Sequence, residues 1–225
     1  MSVVSISSVL SVLEKDIKSE LRSRYAISAV LLFIVTTITI ILIGTKGEDV
    51  RPGLASGLIW VIMFFSSMMG LSRAFVSEEE RGTVFLLQLT SKPVAIYFGK
   101  LIYNVILSFL LNTVAMILFV LFFTNVQIKL FDIFIFSHIF GSIGIAAAST
   151  IISSIIAKAN TKGALFPVLA FPIILPLIFI GIEATKISLE AVNTEYAWSN
   201  IQLMIAYCGI VISMSFILFD FVWKE

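Results

Sequence analysis

The chain has 225 residues, 59% of them hydrophobic and 13% charged, with a net charge of +1 and a mean hydropathy of +1.08. Soluble domains carry about a quarter charged residues, so this composition points to an integral membrane protein rather than a soluble enzyme. No cluster of basic residues suggests nucleic acid, and the single cysteine, Cys208, allows no intramolecular disulfide.

The N-terminal stretch does not read as a signal peptide: no basic residue precedes its apolar part, and charges break it up from Glu14 onward. Ile6, Leu10, Leu13, Ile17 and Leu21 recur at spacings of four, three, four and four, which puts them on one face of a helix. Ser8, Ser11, Lys15, Lys18 and Arg22 fall largely elsewhere. Such a helix, within residues 1–24, lies in the membrane interface rather than crossing it; the alternative is a soluble helix packed on a partner.

Six uncharged segments then follow, each about 17–25 residues or slightly more and long enough to span a bilayer. They are Ala26–Gly44, Leu54–Leu71, Leu101–Thr124, Ile133–Ala157, Ala164–Ile182 and Ile201–Phe219. They leave no room for a soluble domain. The expected fold is an all-α membrane domain over residues 1–225, with six transmembrane helices.

Lysine and arginine set the orientation. With the N-terminus in the cytoplasm, the inner segments hold Lys15, Lys18, Arg22, Arg24, Arg73, Arg81, Lys92, Lys100, Lys158, Lys162 and Lys224, eleven residues in all. The outer loops hold only Lys46, Arg51, Lys129 and Lys186. Both termini are therefore expected in the cytoplasm.

The second and third spans are joined by the segment 72–100, which contains "SEEERGTVFLLQLTSKPVAIYFGK". Ser77 followed by Glu80 reads as a capping box, with acidic residues at the positive end of a helix dipole. Val84, Leu86 and Leu87 make that helix amphipathic, and Ser91 and Pro93 start another that runs through Lys100 into the third span. A solvated loop helix would carry the same charges.

Within the spans, no charge sits near a centre, which argues against an ion-coupled carrier or a cation channel. In the fourth span Ser137 and Gly141, and Gly144 and Ala148, are small pairs that let another helix approach. Pro167, Pro172 and Pro176 predict a kinked or broken fifth span. His138, the one histidine, lies near the outer end of the fourth span; as a lone imidazole it is a weak haem contact and more simply a satisfied polar residue. Met68 and Met69 read as packing. No metal site and no catalytic constellation is recognised.

"EEERGTVFLLQLTSKPVAIYFGK" resembles the coupling segment of ABC-2-type exporter permeases, in which this region docks on a cytoplasmic ATPase. The chain contains no G-x-x-x-x-G-K-[ST] phosphate loop, so ATP hydrolysis is expected on a separate subunit and the chain itself is not an enzyme. Residues 53–89 narrow the likeness. Gly57–Trp60, Ser66–Ser67, Arg73 with Phe75, and Glu78–Gly82, together with Phe171–Gly181, resemble the haem exporter protein B family of bacterial cytochrome c maturation.

That resemblance implies a multi-pass permease of the bacterial inner membrane. Glu78, Glu79, Glu80, Arg81 and Gly82 would dock the ATPase, with Gly82 allowing close backbone approach. A haem-handling membrane protein and a haem chaperone would work beside it. Six spans make half a typical transporter, so a second copy or a similar membrane subunit is expected, surrounded by lipid. No tightly bound cofactor is expected, and haem would be a transient substrate, with His138 a partial site at most. The competing readings are a generic ABC-2 permease for a lipid-linked or amphipathic substrate, and a membrane scaffold that transports nothing.

Overall fold

The computed structural model describes residues 6–46, 48–157 and 165–224. Lys158, Lys162 and the expected start of the fifth span at Ala164 lie outside the described residues. Among the described residues the elements are all helices: α1 (Ile6–Ser23), α2 (Tyr25–Gly44), α3 (Pro52–Leu71), α4 (Val76–Glu80), α5 (Val84–Thr90), α6 (Pro93–Phe122), α7 (Phe131–Ala157), α8 (Leu165–Glu190) and α9 (Thr194–Lys224). Six of them, α2, α3, α6, α7, α8 and α9, are long and apolar enough to cross a membrane. The chain is a multi-pass membrane protein with the six spans its hydropathy implies.

The helices outrun the apolar segments because an α-helix does not end where a bilayer does. Pro93 occupies the first turn of α6, where its missing N–H and fixed φ cost nothing, so the helix starts eight residues before the apolar run. Lys100 falls inside that helix and is buried rather than marking a solvated edge.

Helix α7 forms the centre and packs against α3, α6, α8 and α9. Its small residues make this possible. A Cβ on Gly141 would lie 2.7 Å from the Trp60 ring, and one on Gly144 would lie 2.5 Å from Leu177. The small pairs thus admit large side chains from α3 and α8.

Of the kink or break expected in the fifth span, the break does not occur. Helix α8 runs unbroken through Pro172 and Pro176. Each proline removes the hydrogen bond to the carbonyl four residues earlier, the Val168 carbonyl for Pro172 and the Pro172 carbonyl for Pro176, yet the helix continues through both. The Tyr207 hydroxyl of α9 donates to the Ile173 carbonyl at 2.8 Å and ties the two helices together.

Successive spans alternate in direction, which gives the bundle two ends. One carries α1, α4, α5 and the last turn of α9; we call it the near end. The far end carries the 45–51, 123–130 and 191–193 connections, where the Lys129 and Leu130 N–H groups donate to the Ser188 carbonyl at 3.0 and 2.9 Å. Helix α1 lies along α6 at the near end. It buries Val12 and Asp16, and contact is so close that a Cβ on Gly99 would sit 2.7 Å from Val12. The apolar face read from its spacing points away from the bundle: Ile6, Leu10 and Leu21 are 77%, 54% and 60% exposed. Apolar exposure on this scale belongs at a membrane interface.

Candidate functional site

The near end is built around the elbow that leaves α3. The chain turns through Ser72–Phe75, and Ser153 of α7 holds that turn. Its hydroxyl accepts the Phe75 N–H at 3.1 Å and faces the Ser72 carbonyl at 3.4 Å. The turn is itself close to helical, and its carbonyls already take the first N–H groups of α4. Ser77 donates to Arg73, and Glu78 and Glu79 donate to Phe75. No side chain caps α4, and Ser77 lies inside it. The expected capping box therefore does not form, because the elbow leaves no free donor for it. Glu80 turns instead to Arg73, at 2.7 Å.

Gly82 then separates two short helices where one was expected. It adopts φ +65°, a left-handed conformation that favours glycine. No neighbour lies within 4 Å of where its Cβ would be. It turns the backbone between α4 and α5 and leaves the space beside it open.

Behind this segment sits a buried knot of charge. The Lys100 ammonium donates to the Ala74 carbonyl at 2.7 Å, to Glu78 at 2.9 Å and to Asp16 at 3.1 Å, which uses all three of its hydrogens. Lys15 also pairs with Glu78, and the Thr83 hydroxyl donates to the other Glu78 oxygen at 2.6 Å. Glu78 lies in α4, where the Lys100 ammonium, Lys15 and the Thr83 hydroxyl all meet its carboxylate. The knot ties α1, α4 and α6 into one body.

The predicted docking residues consequently divide. Glu78 faces inward and serves the knot, whereas Glu79, Glu80, Arg81 and Gly82 are exposed. Phe85, Leu86 and Leu89 of α5 are exposed beside them, and Leu87 is the buried anchor of that helix. The Gln88 amide donates to the Trp223 carbonyl at 3.1 Å, and Trp223 packs on Phe75 and Phe219, so the end of α9 closes the segment from below. Asp16 and Lys100 were not singled out from the sequence. Their signal was weak: a lysine surrounded by apolar residues in "YFGKLIY", and an aspartate on the opposite side of α1 from its apolar face.

From the knot a polar stripe runs up α6. Lys100, Asn104, Ser108 and Asn112 are buried at intervals of four, which puts them on one face. Asn104 donates to Thr150 at 2.8 Å. The Asn112 amide lies 3.2 Å from both Ser66 and Ser67 through its oxygen, and donates to Ser108 and Ser142 at 3.2 and 3.1 Å. The paired serines of the second span therefore join α3, α6 and α7 through one side chain. Trp60 lies in a slot between Gly141 and Gly181, where a Cβ on Gly181 would fall 1.8 Å from its ring. Its indole N–H donates to Thr185 at 3.0 Å, and Thr185 meets Ser137 at 3.0 Å. Two stretches singled out in the sequence, Gly57–Trp60 and Phe171–Gly181, thus meet in space.

His138 lies far from the knot, buried between α6 and α7. Its Nε2 is 2.9 Å from Thr113 Oγ1, whose own hydrogen goes to the Phe109 carbonyl at 2.7 Å. Nε2 is therefore the donor in that bond. Nδ1 has no partner among the described residues. Cys208 is a buried packing residue against Gly144, with its thiol 3.3 Å from the Phe140 carbonyl.

No curated protein matches the chain. The family model described as CcmB protein matches residues 7–220, almost the whole of it. That span takes in the elbow, the knot, the Trp60 slot and all six membrane helices. The chain belongs to the CcmB protein family, the haem exporter protein B family, whose members are permease subunits of the haem export system of cytochrome c maturation.

Proposed function

We propose that this chain is the membrane half of an ATP-binding cassette complex of the inner membrane, driven by a separate cytoplasmic ATPase that docks on the α4–α5 segment. The observation that carries this reading is the pairing of an exposed surface with a rigid backing. Glu79, Glu80 and Arg81 display charge beside the exposed Phe85, Leu86 and Leu89. Directly behind them, the Lys100 knot and the Phe75–Phe219–Trp223 stack fasten that surface to α1, α6 and α9. A force applied there reaches the spans without passing through a soft loop. The near end holds nine lysines and arginines among the described residues and the far end four, which favours the near end, and both termini, as cytoplasmic.

Haem is then a transient substrate of the complex rather than a resident group, and a haem-handling membrane protein and a haem chaperone act beside this subunit. A second copy or a similar membrane subunit completes the transporter. A generic ABC-2 permease for an amphipathic substrate would share the same docking surface. Co-purification tests the docking. The variant Glu79→Lys, Glu80→Lys, Leu86→Ser inserts and folds normally but fails to retain the ATPase; undiminished retention would overturn the assignment.

A further inference from the structure

Between α1 and α4 at the near end lies an open cleft of about 530 Å³, lined by Lys15, Lys18, Ser19, Arg22 and Arg81. Four of its five residues are cations and none is acidic. Lys15 is engaged by Glu78 and Asp16, and Lys18 by Glu14. The two guanidinium groups are not so matched. Arg81 donates to the Ser19 hydroxyl at 3.1 Å, and among the described residues neither Arg81 nor Arg22 pairs with a carboxylate. That hydrogen bond aims Arg81 across the cleft toward α1, and Arg22 lies one turn along α1 from Lys18. Two arginines, a lysine and a hydroxyl around one opening make a receptor for a phosphate group, which accepts several N–H and O–H donors at once.

We infer that this cleft holds the phosphate of an anionic phospholipid headgroup. The source follows from α1 itself. The same helix turns Ile6, Leu10 and Leu21 outward, more than half exposed, in a chain that crosses the membrane six times. Those side chains belong in the acyl region, which sets α1 at the depth of the headgroups, and its long basic side chains reach phosphates from there. The lipid fills the space between the interfacial helix and the elbow, and it neutralises guanidiniums that pair with no carboxylate among the described residues. The inference rests on the membrane placement of α1; Arg81 is shared with the docking surface, so ATPase retention is read alongside lipid retention.

The test uses the full chain in nanodiscs of equal parts phosphatidylglycerol and phosphatidylcholine, with retained lipid read by native mass spectrometry after detergent release. The wild type keeps a phosphatidylglycerol in preference to phosphatidylcholine. Arg22→Gln with Arg81→Gln loses that preference, and Arg22→Lys with Arg81→Lys keeps most of it, which separates loss of charge from misfolding. Equal retention by the glutamine variant would overturn the proposal. So would binding of inorganic phosphate to the delipidated chain without any phosphatidylglycerol preference, which assigns the cleft to a soluble anion. If the glutamine variant keeps its lipid and loses only the ATPase, the cleft belongs to the protein interface and the lipid site is refuted.

Discussion

Lys100 shows how a single residue decides the character of the near end. Its ammonium is 2% exposed and faces two carboxylates, a backbone carbonyl and the Phe75 ring, 5.4 Å from its centroid. Removing one member of a buried ion cluster leaves the others charged and unpaired, which costs about 3–5 kcal/mol. Lys100→Met should therefore lower the thermal stability of the purified subunit by about that amount, whereas Glu79→Gln, on the surface, should change it by about 0–1 kcal/mol. Comparable shifts for the two variants would mean that the knot does not hold the elbow. This cluster was the least legible part of the sequence. Its members lie in three separate segments, at 16, 78 and 100; Glu78 read as a docking residue, and Asp16 and Lys100 were not singled out. Only the fold shows that Glu78 differs from its neighbours Glu79 and Glu80, because five residues of helix turn one carboxylate inward and the next two out.

At the level of elements, the periodic segments were legible and the joints were not. The apolar spacing of α1 and the proline start of α6 follow from rules that depend on a few neighbouring residues. The capping box failed because its donors were already taken by the turn before it, which spacing alone does not reveal. Gly82 illustrates the same limit: spacing alone does not show that it turns the backbone between α4 and α5 with φ +65°. Forcing a Cβ residue into that conformation costs about 1–2 kcal/mol. Gly82→Ala should reduce ATPase co-purification by misaligning α5 relative to α4, while the six spans insert as before. Full retention of the ATPase by this variant would show that the break between α4 and α5 is dispensable. The prolines of α8 were legible as a weakness, but the helix that runs through them was not.

For the molecule as a whole, the count of spans and the expectation that both ends of the chain share one side were readable from hydropathy and basic residues, because the bilayer imposes them on every span alike. The substrate is another matter. His138 was the one residue with a chemical claim on haem, and its Nε2 is spent on Thr113 while the ring is 6% exposed. Losing one such interhelical bond inside a membrane costs about 0.6 kcal/mol. His138→Ala should therefore leave most cytochrome maturation intact in cells, and the purified chain should carry little haem. A Soret band that disappears in this variant would make His138 a true ligand. The central claim is that the near end is cytoplasmic and that α4 and α5 meet the motor. A photoreactive residue placed at Phe85, or separately at Val192 on the far end, tests both parts in intact cells that contain the ATPase. The account predicts a crosslink to the ATPase from position 85 and none from position 192; a crosslink from 192, or its absence from 85, would contradict it.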